Sequence, residues 1–144
     1  MALFATVCVT SVAAQENDKW TGTWKMIPGK SQFAGNGPSS IVIKFELKDA
    51  TLTETMTVVN DNGERAFTAK YTTDGKETTQ EVIGRTAQTS AKWEGEALVI
   101  DFKAEGRGFR RKITLSPDGK TMTIAVRQSS DQGDRDETVV LEKQ

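Results

Sequence analysis

The chain has 144 residues, 19 Lys and Arg against 20 Asp and Glu, one Cys, three Pro and no His. That length suits one domain with a core that needs no staples. The net charge of −1 lacks the basic excess that nucleic-acid binding requires. The absence of histidine removes Ser-His-Asp and Cys-His catalysis, His-ligated metals and the commonest general base.

Residues 1–14, MALFATVCVTSVAA, carry no charge, and Val12-Ala13-Ala14 offers the small residues after which a signal peptidase cuts. This stretch is too short to span a bilayer. It reads as a signal peptide truncated at its start, since no Lys or Arg precedes the apolar run. The mature domain, 15–144, then has no cysteine, because Cys8 is the only one. It carries no disulfide, and the expected location is periplasmic or secreted.

From residue 40 the chain alternates β-type runs with turn punctuation. The turn glycines Gly63, Gly75, Gly84, Gly95, Gly106, Gly119 and Gly133 follow one another at 9 to 14 residues. Such spacing, with Asp or Asn before several of them, is the signature of hairpins in an all-β barrel or sandwich. Ten strands are predicted: 19–26, 41–48, 52–59, 65–73, 77–83, 86–93, 97–104, 109–115, 121–128 and 137–143. Alternation places Ile41, Ile43, Phe45 and Leu47 on one face, with Lys44, Glu46 and Lys48 opposite. Leu98, Ile100 and Phe102 form a second such face, and Met122, Ile124 and Val126 a third. Short connections make consecutive strands antiparallel neighbours, and closure hides the edges. The expected fold is an all-β, antiparallel up-and-down barrel of about 8–10 strands.

Inside such a barrel, polar residues interrupt the apolar faces. Glu54 stands beside Leu52, Met56 and Val58; Tyr71 follows Phe67 and Ala69; Gln128 follows Val126; and Arg111 lies between Phe109 and Ile113. With Phe102 and Phe109 these are the candidate ligand-binding residues, and Ala69, Ala87, Ala91 and Ala104 leave space. Arg111 could hold a carboxylate in two parallel hydrogen bonds, neutralise Glu54 inside the barrel, or sit in water at the rim. A desolvated Glu54 working with Tyr71 is the one enzymatic alternative. No nucleophile–base pair is visible, and no catalytic residue or cofactor is assigned. Arg107, Arg110, Arg111 and Lys112 split between two faces and read as a solvated strand. Asp131, Asp134, Asp136 and Glu137 lack the spacing of a calcium loop, so no metal site is assigned.

The run Trp20-Thr21-Gly22-Thr23-Trp24-Lys25 resembles the Gly-x-Trp signature of lipocalins and the Gly-Thr-Trp-Lys of fatty-acid-binding proteins. Pro28-x-Lys30-Ser31-x-Phe33, Gly37-Pro38, the Asp-Gly-Lys turns at 74–76 and 118–120 and the closing Glu142-Lys143-Gln144 are similar to secreted bacterial lipocalin-like proteins. The resemblance implies a calycin-type barrel outside the cytoplasm, in a family whose ligands are mostly unassigned. It carries over no catalytic residue. Trp24 is expected to plug the closed end, with Arg127 or Lys143 stacked on it. The glycines and prolines between 27 and 40 leave no room for the two helices that fatty-acid-binding proteins place there, and Phe33 is expected to anchor that loop by packing inward. The implied function is an extracytoplasmic, monomeric binding module for a small apolar or amphiphilic ligand. The alternative is an interaction protein with a filled barrel.

Overall fold

The computed structural model describes residues 18–144; the proposed signal peptide and Cys8 lie outside them. Ten strands follow in chain order: β1 (Gly22–Met26), β2 (Ser40–Lys48), β3 (Thr51–Asn60), β4 (Gly63–Thr72), β5 (Thr78–Val82), β6 (Arg85–Glu94), β7 (Ala97–Ala104), β8 (Arg107–Leu115), β9 (Thr121–Ser130) and β10 (Gly133–Lys143). All ten predicted strands are present. Their ends differ by up to four residues: the last strand starts at Gly133 and not at 137, and residues 18–20 form a helical turn, so the first strand starts at Gly22 and not at 19. The connection from β1 to β2 holds only the 3-10 turn Pro28–Lys30 and a loop.

The strands form one sheet in the order β4-β3-β2-β1-β10-β9-β8-β7-β6-β5, antiparallel throughout. Every strand pairs with its sequence neighbour except β4 with β5, and β1 closes the ring onto β10 through Trp24↔Lys143. The result is an up-and-down barrel with a single seam. Gln80 on β5 bridges that seam with its side chain. Its Oε1 accepts from the Lys70 backbone N–H (3.1 Å), and its Nε2 donates to the Lys70 carbonyl and to Thr89 Oγ1 (both 2.8 Å). One amide thus copies the donor and acceptor of a ladder residue, so β4 is not left with an open edge there.

The predicted faces are the inner faces. Ile41, Ile43, Phe45 and Leu47 are buried, as are Leu98, Ile100, Ile113, Met122 and Ile124. One end of the barrel is closed by aromatic packing: Trp20 meets Trp93 edge-on at 5.3 Å and Phe45 at 6.4 Å. Trp24 is fully buried, and its indole N–H donates to the Trp20 carbonyl (3.3 Å). The cation over Trp24 is Lys143, with Nζ 5.3 Å from the ring. That ammonium also donates to the carbonyls of Asp18 and Lys19, ending the helical turn. Arg127, the other candidate, pairs instead with exposed Asp134 at 3.2 Å. A Cβ at Gly22 (φ +145°) would lie 2.9 Å from Lys143 Cε, so glycine admits the lysine to the tryptophan.

Candidate functional site

Above the packed end the barrel encloses a cavity of about 1110 Å³ that opens at the opposite end. Its walls are apolar, from residues such as Ile43, Met56, Phe67, Phe102, Phe109 and Ile124. Phe102 and Phe109 are register partners on β7 and β8, and their rings stack at 4.5 Å with 8° between planes. The mouth is framed by the turns at Ile83, Gly106 and Gly133 and by the 33–38 loop. Phe33 packs against the core as expected, and its ring covers Gly37 so closely that a Cβ there would clash with it.

The floor is polar. Glu54 on β3 and Arg111 on β8 are not neighbours in the sheet, yet both point inward and meet across the barrel. Arg111 donates from Nη1 to Glu54 Oε2 (2.8 Å), from Nη2 to Glu54 Oε1 (3.1 Å), and from Nη2 to the Tyr71 hydroxyl (3.2 Å). Glu54 is fully buried, and Arg111 and Tyr71 are 4% and 3% exposed. Burial opposes the Arg111 charge, but the Glu54 carboxylate and the Tyr71 hydroxyl hold its pKa above the ordinary arginine value. Burial pushes the Tyr71 phenol up to about 12, although Arg111 draws it partly back, so it remains a hydrogen-bond donor at neutral pH. Two donors at this floor are unspent among the described residues. Arg111 Nε has no partner, and the Tyr71 hydroxyl accepts from Arg111 without donating. The Arg111 guanidinium also lies 5.8 Å from the Phe109 ring centre, a cation–π contact.

The candidate residues therefore divide. Arg111, Tyr71, Phe102 and Phe109 line the cavity together; Glu54 lies behind Arg111 rather than on the cavity surface. Gln128 lines the cavity as well, but from its exposed mouth. Of the four alanines expected to leave space, Ala69, Ala87 and Ala91 are buried away from the cavity, and Ala104 borders it. Sequence reasoning did not single out the mouth arginines Arg65, Arg85 and Arg135, which come from three different strands and carry no local signal. Nor did it find the Gln80 bridge. Among the described residues no helix is long and apolar enough to cross a membrane.

No protein-family model matches the chain, and no curated protein matches it in sequence. Solved structures do match in shape. The fluorescent protein UnaG superposes with a TM-score of 0.65 at 14% identity, over 88% of this chain and 98% of that one. The zebrafish ileal bile-acid-binding protein complexed with cholic acid gives 0.61 at 16% identity, covering 86% of this chain and 98% of its own. A Schistosoma mansoni fatty-acid-binding protein in complex with arachidonic acid gives 0.59 at 12% identity, over 90% and 98%. Ten antiparallel strands in a nearly closed barrel are the calycin fold of the fatty-acid-binding and lipocalin-like proteins.

Proposed function

We propose that this protein is an extracytoplasmic binding module that holds a small apolar or amphiphilic molecule inside its barrel, acting as a monomer. The observation that carries the reading is the cavity itself. At about 1110 Å³ it exceeds the several hundred cubic ångströms typical of small-molecule sites, and it combines apolar walls with a few convergent polar groups. The bound cholic acid and arachidonic acid of two structural neighbours are molecules of this class. A barrel filled by its own side chains, as a purely structural protein would have, needs the volume that the cavity occupies. The apolar residues 1–14 and the Val12-Ala13-Ala14 cleavage pattern support export.

Arg111, Tyr71, Phe102 and Phe109 contact the ligand in this reading, with Glu54 holding Arg111 from behind and Gln128 at the mouth. Titration with Nile red and with fluorescent fatty-acid and retinoid probes tests it. Saturable uptake with energy transfer from the tryptophans is expected. A folded protein that takes up none of them refutes the proposal. For export, the protein should fractionate outside the cytoplasm with Gln15 as its N-terminus; an intact Met1 in the cytoplasm would refute that part.

A further inference from the structure

The floor of the cavity joins one guanidinium to one carboxylate, and its net charge is therefore zero. Both Nη groups of Arg111 are committed to Glu54, in the bidentate arrangement a ligand carboxylate would otherwise use. What the floor still offers a ligand is one donor, the Tyr71 O–H, and no free positive charge; Arg111 Nε–H is also unpartnered but has no accessible surface. We infer that the polar end of the ligand reaching this floor is an uncharged acceptor, a ketone, ester or similar carbonyl oxygen, and not a carboxylate. This rests on the binding reading above and names the ligand class within it.

The argument is electrostatic. A ligand carboxylate placed against Arg111 and Tyr71 would bring a second negative charge close to Glu54 in a desolvated site, with only one cation to share between them. A carbonyl oxygen can accept from the Tyr71 hydroxyl and adds no charge. The high pKa of Tyr71 keeps its proton available for that bond.

The test compares 2-tetradecanone with tetradecanoate, matched in chain length, by displacement of Nile red. About 0.5 M salt screens the exposed mouth arginines, so that they contribute little to carboxylate binding. The ketone should bind at least about tenfold more tightly than the carboxylate. Tyr71→Phe, which keeps the ring, should weaken ketone binding severalfold without making the carboxylate the better ligand, because Glu54 still neutralises Arg111. Glu54→Gln leaves Arg111 with an uncompensated charge and should reverse the order. Wild-type protein that takes tetradecanoate at least as tightly as the ketone overturns this inference while leaving the binding reading intact. Uptake of Nile red without either probe overturns the inference alone, and uptake of no probe at all overturns both. The wild-type comparison needs no variant to fold.

Discussion

Arg111→Met separates a buried ion pair from the surface pairs of the same barrel. Glu54 has no solvent exposure, and Arg111 is its hydrogen-bond partner through both oxygens. Methionine fills much of the arginine stem's volume but leaves the carboxylate buried and unpaired, a loss of roughly 3–5 kcal/mol. At this chain length roughly 3–4 °C of Tm accompanies each kcal/mol, so Tm should fall by about 10–20 °C. The neighbouring Arg110 provides the control. It holds Asp101 in an equally bidentate pair, at 2.7 and 3.1 Å, but on the outer face with its side chain 61% exposed. Arg110→Met should therefore cost no more than about 1 kcal/mol. Removing both interior charges, Glu54→Leu with Arg111→Met, should restore most of the lost stability, because two apolar side chains need no partner. Urea and thermal unfolding of the four proteins measure this directly. If Arg111→Met is no more destabilising than Arg110→Met, then Glu54 is not sealed from water and the argument from burial is wrong.

Tyr71 is the sole tyrosine, so phenolate absorbance reports it alone. Its midpoint should lie near pH 12 in the folded protein and about 10 in denaturant. Since the unfolded chain releases this proton first, the Tyr71 contribution to stability should decline as pH rises from 10 to 12; a single midpoint near 10 in both states would show the phenol to be solvated. Gln80→Ala removes the side-chain bridge across the seam and should cost about 1–2 kcal/mol. Hydrogen exchange at the Lys70 amide should accelerate ahead of its β3 neighbours, and unchanged protection there would mean the seam is held otherwise. Ile83 adopts φ +53° in the two-residue turn with Gly84 while 58% exposed, a conformation that disfavours β-branched residues. Ile83→Asn should stabilise the protein by about 1 kcal/mol in denaturant unfolding, since Asn-Gly suits this turn type. A lower midpoint would indicate that the isoleucine makes a contact worth more than its strain.

The strands were legible in the sequence because their causes are local. Alternation along Ile41–Leu47 needs only the two-residue period of a strand, and Gly63 or Gly133 marks its turn through a backbone conformation open mainly to glycine. The late start of the first strand, at Gly22, has a tertiary cause: Lys143, from the far end of the chain, caps a helical turn there and sits on Trp24. The same register decided between two cations that sequence could not rank, since Lys143 pairs with Trp24 across β10 and β1 whereas Arg127 faces Asp134. Sequence likewise put Arg111 and Glu54 inside the barrel by alternation, yet left the arginine three possible partners. Strands five places apart in the sheet come face to face only when the sheet closes, and closure alone set the two charges 2.8 Å apart. Gln80 carries the same lesson in reverse. It reads as an ordinary polar strand residue, and becomes a structural bridge only because the barrel leaves its seam beside it. Turn chemistry and side-chain period act over a few residues and are written in the chain; the pairing of charges across a cavity depends on a shape that no short segment contains.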